Sequence, residues 1–458
     1  MKFSRFLNRL NLPALSLGSA VALSLGAGAA QAASGYGVGQ ESITGAGTAY
    51  AGGAAAALDA STVHYNPAGM SLLDHDELAV GTQFIFPTIG FENTGSTIFN
   101  GTPLTGSNRG NGGVFAIIPD AFWVKKLNDR IHVGLGLTGP WGLVTDYDPD
   151  WIGRYNEITT SLRVLNANPS LSYKVTDQLS VGLGFNVQYA MGKLRQAIDF
   201  GTVCTGALGP GICTGAFGLS PQRNDGIAKV VGNDWGFGYN AGLLYQPSEN
   251  FRVGVHYRSH VKLNFNDGKA GFTVPANARA FLTAAGIPTA FTNAGAQFKL
   301  TIPEQASLSA FYKPDPQWAV MADLTWTRWS RFDQLVITSS NPATPTNTLQ
   351  TQWLNVYRLA LGTEFNYSDA LTLRGGIAFD QSPIRAAFRG PGIPDADRKV
   401  AATGLSYRIT DRLTADVSYQ HLFFDKGPAR RTSATGSLLI GNFHVNVDVV
   451  GLGFRWAM

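Results

Sequence analysis

Apolar side chains alternate with small or polar ones along most of this chain. In the clearest run, every second residue from Leu179 to Tyr189 is apolar, and the residues between them are Ser, Gly, Asn or Gln. Similar runs lie at residues 131–137, 251–257, 318–326, 371–379 and 413–419. A period of two is typical of β-strands, and about ten residues cross a bilayer at a tilt. Most apolar faces begin or end in an aromatic residue, as in the girdles of transmembrane β-strands.

The opposite face of these strands carries charged or titratable side chains, namely Arg252, His256, Arg258, Asp323, Arg374, Asp380 and Asp416. Such groups suit a polar lumen and are costly against lipid. Because every backbone polar group must be hydrogen bonded within a bilayer, strands can cross it only as a closed barrel. A soluble β-sandwich is the alternative, but it leaves the lipid-like aromatic faces unexplained.

Short and long connections separate the predicted strands. Short turns rich in Asp, Asn, Pro and Ser, residues that favour turns, lie at residues 125–130, 173–178, 245–250, 312–317, 367–370 and 407–412. Long connections lie at residues 92–112, 142–160, 200–233, 266–295, 330–352, 384–397 and 425–442. The six short turns join twelve strands, and one further strand on each side (78–91 and 443–458) makes fourteen. Residues 78–458 therefore predict an all-β fold, a fourteen-stranded antiparallel transmembrane β-barrel whose ends lie in the periplasm.

The first 32 residues have the pattern of an export signal. A basic start is followed by an apolar run that ends in Ala30-Gln31-Ala32, a typical cleavage site. A membrane anchor is the alternative, but the run is rich in Gly, Ser and Ala and ends at this processing site. We expect residues 1–32 to be a signal peptide and the protein to reach the outer membrane.

Residues 33–77 fit no strand. They are rich in Gly and Ala, which allow close packing in a narrow cavity, and they include Tyr50 and the sequence Asn66-Pro67-Ala68-Gly69-Met70. A disordered periplasmic tail is the alternative, but the segment has few charges and several apolar residues. We therefore expect residues 33–77 to form a hatch inside the lumen.

Composition and motifs exclude several kinds of chemistry. Charged residues make up 14% of the chain, the net charge is +4, and no Lys/Arg cluster predicts a nucleic-acid partner. The glycines at 134–139 have the G-x-G-x-x-G spacing, but they lie inside a strand pattern and predict no nucleotide cofactor. Cys204 and Cys213 share one exported loop, which predicts a disulfide rather than a metal site.

Catalysis is not expected. The nucleophile–base candidates closest in sequence are Ser259 with His260 or His256. Adjacent strand residues point to opposite faces, so Ser259 and His260 are badly placed to act together. No cofactor and no metal is predicted.

Several motifs resemble the FadL/OmpP1/TodX family of outer membrane transporters of long-chain fatty acids and hydrocarbons. They span the chain after the signal peptide in order: 34–36 (SGY), 49–52 (AYAG), 66–70 (NPAGM), 234–242 (DWGFGYNAG), 257–259 (YRS), 315–319 (DPQWA), 357–362 (YRLALG), 376–380 (GIAFD) and 394–398 (PDADR). The resemblance implies a monomeric fourteen-stranded barrel with a hatch that includes Asn66, Pro67 and Ala68. It also implies passive uptake, in which loops capture the ligand, an internal pocket holds it, the hatch rearranges, and the ligand leaves sideways at a kinked third strand.

The third strand contains a candidate for that kink. Gly139-Pro140-Trp141-Gly142 follows the alternating run from Ile131 to Thr138. Proline removes a ladder donor and glycine weakens a strand, so we expect a bulge or local break here. The alternative is an ordinary strand end.

Two long loops carry apolar side chains that predict ligand capture, since exposed apolar loops usually mark a binding surface. The candidates are Phe217, Phe272, Phe281, Leu282 and Phe291, and residues 276–285 could form a short helix. The alternative is that the two loops pack on each other, and both interpretations can hold.

The chain departs from the family at the carboxylate-binding positions. These fall at Gln196 and Leu354, neither of which is basic, although Lys193, Arg195 and Arg358 lie nearby and could replace them. A long-chain fatty acid is the expected ligand, and a neutral aromatic or aliphatic hydrocarbon is the alternative. Outer membrane lipid and lipopolysaccharide are the expected surroundings. A change of apolar phase between Val449 and Val450 predicts a bulge in the last strand.

Overall fold

The computed structural model describes residues 34–39, 41–108 and 111–458, so the predicted signal peptide lies outside the described residues. The strands are β1 (Glu77–Asn93), β2 (Ala116–Lys126), β3 (Ile131–Asp146), β4 (Thr159–Lys174), β5 (Leu179–Asp199), β6 (Asp225–Ser248), β7 (Phe251–Arg258), β8 (Val261–Thr273), β9 (Ala294–Ile302), β10 (Gln305–Tyr312), β11 (Trp318–Thr327), β12 (Gln334–Ser339), β13 (Asn347–Gln350), β14 (Val356–Asn366), β15 (Leu371–Asp380), β16 (Arg398–Arg408), β17 (Leu413–Phe424), β18 (Gly427–Thr432) and β19 (Leu438–Ala457).

Short helices lie before and between the strands. They are α1 (Ile43–Gly47), α2 (Thr62–Tyr65), α3 (Phe200–Leu208), α4 (Pro210–Phe217) and α5 (Ala276–Ala284), with 3-10 helices at Pro67–Leu72 and Trp329–Arg331. In the part of the chain that the structure describes, no helix is long and apolar enough to cross a membrane.

The strands form one closed antiparallel barrel. Each barrel strand pairs with its neighbours in the sheet, and β1 pairs with β19 from Glu77–Ala457 to Asn93–Gly441, which closes the barrel. Five pairs of segments are the two halves of one interrupted strand: β7 and β8, β9 and β10, β11 and β12, β13 and β14, and β17 and β18. The described residues therefore contain fourteen barrel strands, and the predicted fold class is confirmed.

The two faces of the barrel differ as the alternation predicts. Leu183 and Phe237 are 63% and 59% exposed on the outer wall, whereas Arg258 and Asp416 are 3% exposed within the lumen. Apolar side chains thus face lipid, and charged ones are shielded by the hatch and by each other.

The six short turns lie where they were predicted, but several predicted long connections include residues that belong to strands. β6 begins at Asp225, inside the predicted loop 200–233, and β8 continues to Thr273, inside the predicted loop 266–295. The predicted loop 330–352 contains β12 and β13. These strand extensions continue the ladder beyond the apolar band, so their backbones pair although their outward residues, such as Lys269, are no longer apolar.

The bulge predicted between Val449 and Val450 is wrong. β19 pairs with β1 in one continuous register through Ile85–Val449 and Phe84–Val450. Above this point the inward face is apolar because Val445 and Val447 pack beneath the loops. The change of phase is therefore a change of environment along a regular strand.

Candidate ligand-binding site

The N-terminal segment occupies the lumen and is bonded to the wall through Asn66. The Asn66 Nδ2 donates to the carbonyl oxygens of Ala54 at 2.7 Å and of Leu243 in β6 at 3.0 Å. Its Oδ1 accepts from the Ala68 amide at 3.0 Å and so caps the 3-10 helix that begins at Pro67. The predicted hatch residues thus join the hatch to itself and to the barrel.

Polar side chains of the wall bind hatch carbonyls at three further points. Arg358 in β14 donates to Ala49 O at 2.6 Å, and Gln420 in β17 donates to Ala46 O at 2.7 Å. Arg258 in β7 donates to His64 O at 2.7 Å. These carbonyls are buried in the lumen, where an unpaired polar group is costly.

Glycines on the inward face of the wall allow the hatch to approach the sheet. A Cβ on Gly254 would overlap the carbonyl oxygen of Ala54, and one on Gly376 would overlap the Thr48 carbonyl. Close backbone approach is one of the few reasons for glycine within a strand. This explains part of the high glycine content, and the sequence alone did not indicate which glycines take this role.

The third strand is irregular at the predicted position. The register between β3 and β4 shifts between Thr138 and Trp141, and the pairing of β2 with β3 ends at Ala121–Leu137. Beyond that pair, the N-terminal segment covers β3 from the inside. Val38 N donates to Pro140 O at 3.0 Å, and Gly142 N donates to Tyr36 O at 2.8 Å. The wall between β2 and β3 therefore lacks its ladder at Gly139–Gly142.

An apolar pocket of about 90 Å³ lies next to this irregular strand, and we call it the inner pocket. Its aromatic and aliphatic lining is Tyr36, Leu143, Leu162, Phe265, Phe298, Leu300, Phe332, Leu335, Trp353, Ile384 and Ile393. Tyr36 connects pocket and kink, because its ring contacts those of Trp141 and Trp353 with centroids 6.1 Å and 5.7 Å away. Its hydroxyl donates to Thr301 O at 2.8 Å. Sequence reasoning missed this aromatic cluster because its members are far apart in the chain.

A larger cavity of about 450 Å³, the outer pocket, lies among the loops above. Phe272 and Phe291 line it, and Glu157, Leu194, Val230 and Leu349 line both pockets. The two cavities therefore adjoin each other.

The other apolar loop candidates pack the loops together. Phe281 and Leu282 in α5 are buried, and the Phe217 ring meets that of Phe281 edge-on at 5.9 Å. Cys204 and Cys213 form a disulfide with Cα atoms 5.8 Å apart in the same apolar cluster. The five candidates thus divide, with two lining the outer pocket and three building the loop core beside it.

The three basic candidates are not brought together. Arg358 lines a separate polar cavity of about 140 Å³ beside the hatch. Lys193 borders the inner pocket and Arg195 borders the outer pocket. Both have the strand parity of Tyr189, whose ring meets that of Trp235 on the outer wall, so their side chains leave the wall on its outer face, where Lys193 is exposed. Gln196, at one of the family's carboxylate positions, lines the outer pocket.

A different cation lies at the junction of the two pockets. Arg431 in β18 is buried and lines the inner pocket with Glu157, which lines both pockets. Arg431 Nη1 donates to Gln350 O at 2.7 Å, and Glu157 accepts from Gly392 N at 3.0 Å. Burial raises the pKa of Glu157, and the charge of Arg431 opposes that rise. No local motif marks Arg431, so sequence reasoning missed it.

Other chemistry has little structural basis. In residues 34–39, 41–108 and 111–458, no group of three or more His, Cys, Asp or Glu side chains could hold a metal ion. The Ser259 hydroxyl accepts from Tyr239 N at 2.9 Å and is 3.3 Å from His260 O, so it is bonded to the backbone.

Comparison with known proteins agrees with this architecture. The family model described as outer membrane protein transport protein (OMPP1/FadL/TodX) matches residues 23–457. The chain is 34% identical to the long-chain fatty acid transport protein of Escherichia coli (strain K12) over 448 residues, which cover 93% of this chain and 97% of that protein.

Solved structures have the same fold. A Pseudomonas aeruginosa FadL homologue superposes with a TM-score of 0.84 at 26% identity, covering 92% of this chain and 99% of that one. The toluene transporter TodX of Pseudomonas putida superposes with a TM-score of 0.64 at 15% identity, covering 90% and 97%. The resemblance found in the motifs is confirmed. The chain belongs to the outer membrane protein transport protein family (OMPP1/FadL/TodX), a family of transport proteins rather than enzymes.

Proposed function

We propose that this protein takes up hydrophobic molecules passively through the outer membrane, with long-chain fatty acids as its main substrates. One observation carries the proposal: two adjoining apolar pockets lie between the loops and Tyr36, beside the interrupted β3. The E. coli relative that is 34% identical is a long-chain fatty acid transport protein.

An apolar path suits such substrates better than a water-filled pore. Each methylene group gains about 0.8 kcal/mol on leaving water. The outer pocket would therefore capture the chain from the medium, and the inner pocket would hold it more completely.

Arg431 is the side chain that we assign to the fatty-acid carboxylate. It is buried at the junction of the pockets, where a charged hydrogen bond is stronger than in water. Glu157 stands beside it and would have to be neutral or turned away when a carboxylate binds. Because Glu157 would compete with the substrate's carboxylate for Arg431, a neutral aromatic or aliphatic hydrocarbon is the second candidate substrate.

The exit that we propose is lateral, at Gly139, Pro140, Trp141 and Gly142. The ladder between β2 and β3 ends at Ala121–Leu137, and the segment around Tyr36 is hydrogen bonded to β3 at the gap. A ligand that displaces Tyr36 from the inner pocket would uncover the gap, and the hydrocarbon would enter the membrane directly.

The remaining parts of the proposal concern processing and assembly. Residues 1–32 would be removed as a signal peptide, residues 33–77 would act as the hatch, and residues 78–458 would form the barrel. The barrel closes within one chain through β1 and β19, which supports a monomer surrounded by outer membrane lipid and lipopolysaccharide.

The test is ligand binding followed by growth. Purified protein in detergent is titrated with oleate, hexadecane and toluene, and tryptophan fluorescence is recorded because Trp353 lines the inner pocket. We expect saturable quenching by oleate, and growth of a deletion strain on oleate that depends on the restored gene. Saturable binding of toluene but not oleate would favour the hydrocarbon alternative, and no saturable binding of any of them would refute the proposal.

A further inference from the structure

Four cations form a continuous patch on the outer wall of the barrel, and two of them, Lys193 and Arg195, lie on strand positions that border the pockets on the other side of the wall. They are Lys193 and Arg195 in β5, Lys229 in β6 and Lys269 in β8. Arg195 lies directly opposite Lys229, and Val231 lies opposite both Lys193 and Lys269. Directly paired residues share a face, so all four side chains leave the sheet on the same side.

That side faces away from the lumen. The register of β5 with β6 is continuous from Tyr189–Trp235 to Arg195–Lys229, so the cations have the parity of that aromatic pair. Lys193 lies four residues beyond Tyr189, which is about 13 Å along a strand. Since aromatic girdles mark the membrane interface, the patch lies just outside the hydrocarbon layer on the loop side of the barrel.

The patch lacks acidic partners. Within the described ranges, none of its four side chains forms an ion pair within 4.0 Å. The carboxylates in this sector are engaged elsewhere or lie off the four cations: Asp234 accepts from Asn264 N at 2.5 Å, Asp199 accepts from the Thr202 hydroxyl at 2.5 Å, Asp225 binds Arg154 at 2.8 Å, and Asp267 is exposed. Lys262 and Lys299 extend the patch on β8 and β9, and both are exposed.

On the opposite side of the barrel, two outward cations do have acidic partners. There Lys399 lies 3.6 Å from Asp425, and Lys426 lies 3.5 Å from Glu92. Like charges that face each other across a ladder are destabilising. An external anion would therefore stabilise the Arg195–Lys229 pair, whereas Lys399 and Lys426 already have acidic partners.

We infer that this outward patch on β5, β6 and β8 binds the phosphate groups of the phosphorylated glycolipid in the outer leaflet. The patch has the required charge, lies at headgroup height and faces the lipid. Arg and Lys side chains together bind phosphate well, and the bond depends on ionic strength because the patch is exposed. The inference extends the proposed function by naming a lipid partner, and it gives Lys193 and Arg195 a role outside the pocket.

The experiment compares two sets of neutralised cations. The test variant carries Lys193→Gln, Arg195→Gln, Lys229→Gln and Lys269→Gln, and the control carries Lys399→Gln and Lys426→Gln. Native mass spectrometry in detergent measures binding of purified lipopolysaccharide, of the same lipopolysaccharide after enzymatic dephosphorylation, and of inorganic phosphate. Heat-modifiable migration on gels checks that each barrel is folded.

We expect the test variant to bind lipopolysaccharide at least tenfold more weakly than wild type, and the control to stay within twofold. Dephosphorylated lipid should bind wild type as weakly as intact lipid binds the test variant, and millimolar inorganic phosphate should not compete. Equal affinities of wild type and test variant would overturn the inference, as would full competition by inorganic phosphate. Oleate binding is measured on the same samples. A failure of the lipopolysaccharide inference is thereby distinguished from a failure of the proposed uptake function.

Discussion

Adding one methyl group at Gly376 should displace the hatch. A Cβ at this position would lie 2.7 Å from the Ala49 amide nitrogen and closer still to the Thr48 carbonyl. A Cβ atom essentially never approaches another residue's heavy atoms within 3.0 Å, so the hatch or the strand must move. Overpacking of this kind costs about 1–3 kcal/mol, which is a population shift of about 5- to 150-fold toward a displaced hatch.

The neighbouring residue provides a matched control. Gly375 lies on the same strand but on the outer face, and its Cβ would meet nothing closer than Thr363 Cγ2 at 3.9 Å. Replacing this glycine by alanine should leave the hatch in place, and it should stabilise the strand slightly, by about 0.5 kcal/mol, because alanine loses less conformational freedom on folding.

Planar bilayers measure the difference. We expect Gly376→Ala to open conducting pores at least five times as often as wild type, and Gly375→Ala to match wild type. Cells carrying Gly376→Ala should also become sensitive to a bulky hydrophilic antibiotic. Equal conductance of the two variants, with both barrels folded, would show that the hatch does not seal the lumen through this contact.

Three further predictions concern the pockets and the wall. Arg431→Gln should weaken oleate binding about tenfold and leave hexadecane binding unchanged, as titration of both ligands would show; equal losses would mean a packing defect. Tyr36→Phe removes only the bond to Thr301 O, so ligand affinity should change by less than threefold, whereas Tyr36→Ala should lower it by at least tenfold. Replacing residues 139–142 with a regular strand sequence should abolish oleate uptake by cells while purified protein still binds oleate, and normal uptake would exclude a lateral exit.

Much of the fold could be predicted because the bilayer imposes a simple rule on each strand. Alternation from Leu179 to Tyr189 tells which side chains face lipid, and that choice depends only on neighbours along the chain. Short turns could be counted for the same reason. The prediction was wrong where the environment changes along one strand, as at Val449, which continues a regular register.

The binding site was less accessible to sequence reasoning. Motifs indicated the hatch and the kink, because proline and glycine act locally on a strand. Phe281 and Leu282 were correctly seen as apolar, but whether an apolar loop residue lines a cavity or packs against another loop depends on the partner loop.

What the sequence determined by itself is the barrel, its strand number and the irregularity in the third strand. Each follows from local periodicity, from turn chemistry, or from motifs read in order. Only the tertiary structure decided that Tyr36, Trp353 and Arg431 meet at the inner pocket, and that Lys193, which borders this pocket, has the strand parity of the outer wall. The physical reason is barrel closure, which brings together residues hundreds of positions apart and separates neighbours in the chain by the thickness of a sheet.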